Sequence, residues 1–284
     1  MREERKLKVA CRAKELWDRG HPESPTEQFV AHALAESPET RTAVLWYIVR
    51  RLSQPYIWEE WHAGRLRRHV LMIDENRKYQ RAGVSRAREF LLQLDPQLSG
   101  ILTTNYDLRV EYALGSKGFN YGRAGEELKG RGPYPVSQWL NPVVLRGAVS
   151  LAKMHGSISW DLEGRYTDGR RGLSGNALIV APAPEKTPPA SLALDWELAG
   201  RILRNSTHLL VFGFAFNPYD EALLTHLKEY GCDIERVTVI DKNPNPGRVQ
   251  RVWPGADIEA LLPPCGDERL SGWFSRIRSM GKTI

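Results

Sequence analysis

The sequence predicts an α/β fold: a parallel β-sheet covered by helices and preceded by a mainly helical region. Two observations carry that prediction. Continuous apolar runs such as LLVF (209–212) and VTVI (237–240) flank a stretch with helical spacing, NPYDEALLTHLKEYG (217–231). Strands buried on both faces are what a helix-covered parallel sheet requires. Each apolar run also ends in polar residues, in TTNYD, KMHGS, VAPAPEK, GFAFNPYD and DKNP. In a parallel sheet those loops share one edge, the C-terminal edge at which open α/β sheets bind ligands.

Taken in order, residues 1–95 read as mainly helical. TEQFVAHALAE (26–36) sets Thr26 before a face of Phe29, Val30, Ala33 and Leu34, an N-cap followed by an amphipathic helix. TRTAVLWYIVRRL (40–52) is more apolar and reads as buried, and VSRAREFLLQL (84–94) is a helix stopped near Asp95-Pro96. Residues 96–265 form the α/β core. Its first strand is Ile101–Thr103, followed by a polar turn and a helix start near Val110. Residues 115–175 carry 12 of the 24 glycines and read as loop, except for a strand that ends at His155. Then come a strand in ALIVAPA (177–183), a helix in LALDWELAGRILRNS (192–206) and a strand in THLLVFGFAF (207–216). The 217–231 helix ends at Gly231, and ERVTVIDKNP (235–244) is the next strand. Residues 266–284 hold a last amphipathic helix.

Bulk composition narrows the class. The chain has 284 residues with 42% apolar content, enough for one large core. No apolar run approaches the 18 or so residues of a membrane span, and the start, MREERKLKVACRAKELW, has no apolar h-region. Cys11, Cys232 and Cys265 form no CxxC pair, so neither a structural zinc site nor a disulfide framework is expected. These features together predict a cytoplasmic protein. The net charge of +6 is spread over RRL near Arg51, RLRRH (65–69) and GRR (169–171), which reads as solvated surface. Direct nucleic-acid binding has no motif behind it: no zinc-finger, RNP-like or helix-turn-helix pattern occurs. Glycine-rich GxGxxG, Walker A, HEXXH and paired-carboxylate glycosidase patterns are absent as well.

The candidate chemistry lies at strand ends. His155, before Gly156 and Ser157, is either a satisfied structural residue or a general base with a pKa near 6.5. Asn105 is either a turn residue or a group that orients a water or a ribose hydroxyl. Asp107 is an N-cap or a carboxylate sharing a pocket with Asn105. Gly213 marks a sharp turn before a helix start, where backbone N–H groups favour phosphate, while Asn217 and Asp220 are plausible caps. Asp241 ends a strand where dinucleotide folds read a ribose. Among the aromatics, Trp46, Tyr47 and Phe90 read as core. Trp58 and Trp61 read as a lid or an interface, and Trp160 as a pocket wall.

Taken as an ordered set, TTNYD, KMHGSISW, LLVFGFAFNPYD and VTVIDKNP resemble the SIR2-like branch of the sirtuin superfamily, over roughly residues 84–260. The resemblance implies a Rossmann-like NAD-binding core with helical insertions. It implies Asn105 as the active-site asparagine with Asp107 as its companion acid, and His155 as the catalytic histidine facing the nicotinamide ribose. Thr104, Gly213, Phe214, Asp220 and Asp241 would be the cofactor-contacting positions. The implied activity is that of an NAD glycohydrolase, with NAD as substrate and nicotinamide and ADP-ribose as products, in the manner of prokaryotic anti-phage defence effectors. A homo-oligomer or a regulatory protein partner would gate such a reaction. Two departures bear on this. The four-cysteine zinc module of the deacylating sirtuins cannot be built here, which disfavours a protein deacylase. The Gly-Ala-Gly-x-Ser loop with which the family opens has no counterpart, so either the sequence is shortened at its N-terminus or this member lacks the loop. The second case favours a non-catalytic sensor of NAD or ADP-ribose, or an assembly subunit.

Overall fold

The computed structural model describes residues 3–22, 26–53, 57–62, 65–70, 87–94, 98–114, 118–122, 148–158, 160, 177–181, 188–264 and 269–279. At residues 3, 26–27, 50–53, 57–62, 65–70 and 112 it describes the backbone alone. The helix stop at Asp95-Pro96, the GRR stretch, most of the glycine-rich stretch, Pro182, Pro184 and Cys265 lie outside those residues. No helix among the described residues is long and apolar enough to cross a membrane.

Helices α1 (Glu3–Gly20), α2 (Thr26–Glu36) and α3 (Pro38–Ser53) form an N-terminal helical region. Ser37 caps α3: its Oγ accepts the Thr40 N–H at 3.1 Å, and Pro38 occupies the first helical position. Ala10, Phe29, Val30, Ala33, Ala43 and Val44 meet in a small core, on the spacing that the 26–36 pattern predicts. One stretch departs from the mainly helical reading. Residues 57–62 and 65–70 form an antiparallel pair, β1 (Ile57–His62) with β2 (Arg65–Val70), whose register sets Glu59 opposite Arg68 and Glu60 opposite Arg67. Opposite charges facing across a ladder favour that pairing. The side chains of Trp58 and Trp61, read as a lid or interface, are outside the description.

The core is an α/β sandwich with two parallel sheets flanked by helices. After helix α4 (87–94) the chain forms β3 (Gly100–Thr103), α5 (Arg109–Leu114), β4 (Phe119–Asn120) and β5 (Val149–Lys153). It continues through β6 (Gly156–Ser157), β7 (Leu178–Ile179) and α6 (Ala193–Arg204). Then follow β8 (His208–Phe212), α7 (Glu221–Tyr230), β9 (Arg236–Ile240), α8 (Pro246–Val252), β10 (Asp257–Leu261) and α9 (Leu270–Ser279). One sheet has the order β3-β5-β4, the other β10-β9-β8, and every pair in both is parallel. β7 departs from the expected pattern. It pairs antiparallel with β6, the short extension of β5, so its end returns toward His155 instead of leaving by the common edge.

Alternation along the strands assigns the layers. Leu102, Ala152, Leu209, Val211, Val237 and Val239 pack on α6, α7 and α8. Their neighbours point the other way: Ile101 and Leu151 pack on α4 and α5, and Leu210 and Ile240 pack on α4 and α9. Leu203, Val237 and Val249 are fully buried, each contributing about 1.5–3 kcal/mol of burial. Both sheets therefore share the same two helix layers.

Candidate functional site

The site is built where β3 and β5 end. Thr103 O accepts the Met154 N–H at 2.9 Å, and Tyr106 O accepts the Ile158 N–H at 3.1 Å, so the two chains stay in step beyond the ladder. Three further contacts hold the Met154–Gly156 turn. His155 O accepts the Val180 N–H at 2.8 Å, Met154 O accepts the Trp196 indole N–H at 2.9 Å, and the Tyr106 hydroxyl donates to Val180 O. Gly156 has φ +82°, and a Cβ there would stand 2.1 Å from Leu178 O, so only glycine fits.

His155 is 5% exposed and stands beside a carboxylate from another strand end. Its Nε2 lies 3.6 Å from Asp220 Oδ1, ion-pair range for a protonated ring and slightly long for a hydrogen bond. Asp220 ends the 3₁₀ turn Pro218–Asp220 just before α7, and its side chain makes no cap bond. Asn217 does the capping, its Oδ1 accepting the Tyr219 N–H at 3.1 Å. Val180, Pro188, Trp196 and Leu223 close tightly around His155 and Asp220 and leave no room there for a water molecule. The Tyr106 ring lies 6.3 Å from that of His155. Burial first, and the Asp220 charge second, push the Tyr106 phenol well above its ordinary pKa, so it remains a donor.

Thr104 and Asn105 line a separate crevice of about 140 Å³, together with Leu102, Met154, β8 and the 213–216 loop. Leu223 borders both spaces. Asn105 is exposed, and its N–H donates to Thr103 Oγ1 at 3.1 Å. Gly213, at φ +63°, and Phe214 belong to the crevice wall. Phe216 has φ +49°, a conformation costing on the order of 1–3 kcal/mol. Phe214, Trp253 and the Arg248–Ala215 O bond of 3.0 Å hold it there.

The remaining candidates fall elsewhere. Asp107 is a cap: its Oδ1 accepts the Arg109 N–H at 3.0 Å, opening α5. Asp241 Oδ1 accepts the Asn243 N–H at 2.8 Å in a turn, and Asp241 borders neither cavity. Trp160 does not wall the pocket. It is buried against Tyr121, ring centroids 5.0 Å apart, because its β-bridge turns it into the β4–β5 core. Missed in the sequence was Lys153, fully buried beside the turn. Its Nζ donates to Glu111 Oε1 at 2.8 Å and to Asp107 O, and the Tyr121 hydroxyl joins the same carboxylate oxygen at 2.9 Å. A lysine inside the apolar run VSLAKM was the available signal.

Among the described residues no group of three or more His, Cys, Asp or Glu is placed to hold a metal ion. The arrangement offers a carboxylate-backed imidazole and a buried phenol next to an open, mostly apolar crevice with Thr103, Thr104 and Asn105 at one side. Comparison with models of protein families, with curated proteins and with solved structures returned no match.

Proposed function

We propose that the chain is an NAD glycohydrolase of the sirtuin type, cleaving NAD with water to nicotinamide, ADP-ribose and a proton. The observation that carries the reading is the meeting of His155 and Asp220 at 3.6 Å, next to the crevice bordered by Thr104, Asn105, Gly213 and Phe214. Two strand ends and a helix start contribute, which is the usual siting of a ligand on an open α/β sheet. In this reading the nicotinamide–ribose bond breaks with positive charge developing on the ribose. Asp220 stabilises a positively charged His155, and His155 engages a ribose hydroxyl or takes the proton of the attacking water. Asn105 positions that water from the crevice. NAD is the substrate, and no zinc takes part. Gating by a homo-oligomer or a regulatory partner, and a role in antiviral defence, belong to the same proposal.

The test is nicotinamide release from NAD by the purified chain, beside His155→Ala and Asn105→Ala. Loss of a general acid–base group lowers turnover by about 10²–10⁴. Release by the wild type that falls by that factor in His155→Ala supports the reading, and unchanged release in that variant overturns it. A second reading, a non-catalytic NAD or ADP-ribose sensor, is favoured by one observation: Asn105 lines the open crevice, whereas His155 lies outside it in a space too tight for a water molecule. Calorimetric binding of ADP-ribose without any nicotinamide release would decide for the sensor.

A further inference from the structure

The crevice at Asn105 and the space at His155 are each too small to be a whole site for NAD. The crevice holds about 140 Å³, whereas sites for small molecules and cofactors measure about 300–1,000 Å³. The His155–Asp220 side has no room for a water molecule. A general base that water cannot reach has no proton to take. The two spaces nevertheless share a wall. Among the described residues that line them, Leu223 alone borders both.

Two other walls on the His155 side are fastened by hydrogen bonds. The Val180 N–H donates to His155 O at 2.8 Å, and Val180 O accepts from the Tyr106 hydroxyl. The Trp196 indole N–H donates to Met154 O at 2.9 Å. Both residues are tied to the turn that carries His155 and keep their places with it. Leu223 has no side-chain polar group to fasten it. It is the third residue of α7 and is buried in the apolar cluster that holds Met154, Phe216 and Leu227. The chain reaches α7 through residues 213–220, and two of these have left-handed backbone. Gly213 is at φ +63° with nothing within 4 Å of a Cβ, and Phe216 is at φ +49°. The Phe216 conformation is strained, so a shift of this segment has strain to release.

We propose that the two spaces are halves of one binding site and that Leu223 is the gate between them. With Leu223 in place, His155 is shut off from anything bound at Asn105. With Leu223 displaced, the crevice extends to the imidazole, and water or a bound ribose reaches it. A site that must open before it binds has its apparent affinity lowered in proportion to the fraction of molecules that are open. This gate deepens the NAD reading above and rests on it for the substrate, while its own test needs no NAD.

Water is the first probe. The C2 hydrogen of a histidine ring exchanges with deuterium in heavy water at a rate that depends on solvent access, and mass spectrometry of the peptide carrying His155 reads it. The exposed His21 is the reference in the same sample. In the wild type, His155 exchanges about tenfold or more slowly than His21. Leu223→Ala leaves a space between the two halves, because a buried site relaxes only partly around a lost side chain. Exchange at His155 then rises about tenfold. Leu227→Ala is the control. Leu227 is a buried leucine one turn along the same face of α7 and lines the crevice, but it does not border the His155 side. Its loss leaves exchange at His155 slow. Should Leu223→Ala not fold, Leu223→Val carries the same comparison, with a smaller rise. Fast exchange at His155 in the wild type, no rise in a folded Leu223 variant, or an equal rise in Leu227→Ala would each overturn the gate. Nicotinamide release separates the gate from the reading it deepens. Where the wild type cleaves NAD, Leu223→Ala lowers KM by up to the factor by which exchange rises, and an unchanged or raised KM overturns the gate alone. Exchange that rises as expected, with no release from any of these proteins, supports the gate and overturns the hydrolase.

Discussion

Lys153 and Glu111 are both fully buried and 2.8 Å apart, and they tie the last residue of β5 to the start of α5. Lys153 also holds Asp107 O, so one ammonium fixes the TTNYD turn against the KMHGS strand. Its removal strands a carboxylate whose Oε2 already lacks a partner. Breaking a buried pair from one side costs about 3–5 kcal/mol. Lys153→Met should therefore lose about that much stability in urea denaturation. Lys153→Met combined with Glu111→Gln should be more stable than the single variant, because no unpaired charge remains and the Tyr121 hydroxyl keeps an acceptor. Additive losses in the double variant would mean that the pair is not coupled. Residue identity alone did not separate caps from site groups. Asp107 and Asp220 look alike in the sequence, each two or three residues after an Asn and just before a helix. Asp107 caps its helix, while Asp220 leaves the capping to Asn217 and faces His155. Capping and charge pairing use the same residue type at the same place, so tertiary contacts alone tell them apart.

Elements with long one-sided or continuous apolar patterns were legible. The strands in THLLVF and ERVTVI and the helices at 193–204 and 221–230 stand where their patterns put them. Short elements were less so: the strand expected in ALIVAPA is there only as the two residues of β7, and its partner β6 is too short to carry any periodicity. The β1–β2 pair fell in the region read as mainly helical, and its opposite charges line up only once the two strands are set across a ladder. The β5–β6 connection shows how narrowly an element junction is specified. His155 is aimed by a turn that needs Gly156 at φ +82°, with Leu178 O where a Cβ would be. Left-handed backbone alone costs an ordinary residue about 1–2 kcal/mol. Gly156→Ala should cost more than that, since the obstructing atom is backbone and belongs to the pairing strand. Gly213→Ala, at φ +63° with nothing within 4 Å, should cost only the conformational part. Equal losses for the two in thermal or urea unfolding would show that the β6–β7 contact is not what demands glycine.

At the scale of the whole molecule, two half-buried histidines link stability to pH. His226 sits between α6 and α7, its ring 4.9 Å from Trp196 and 4.4 Å from Tyr230, with a buried Nε2 that lacks a partner. Burial is the largest influence and lowers its pKa from the ordinary 6.5, with Arg204 acting the same way and the Trp196 backbone and Glu229 opposing. His208 on β8 is lowered too, by burial and then by Arg236, against Glu259. Below pH 6.5 the unfolded chain takes up protons at these positions that the folded chain refuses. The unfolded state then binds more protons, and stability falls as pH falls. The contribution is complete above the unfolded pKa and is lost from there down to the lowered folded pKa. His226→Phe keeps the ring contacts with Trp196 and Tyr230 and removes the titration. Its urea midpoint should therefore fall less than the wild type's between pH 7 and pH 5, with the two curves closest in shape above pH 7. His226, on α7 against Trp196 of α6, borders neither cavity, so its titration reports the α6–α7 packing. Parallel curves for the two proteins across that range would mean that His226 titrates alike in the folded and unfolded chains, and that the buried ring has access to water.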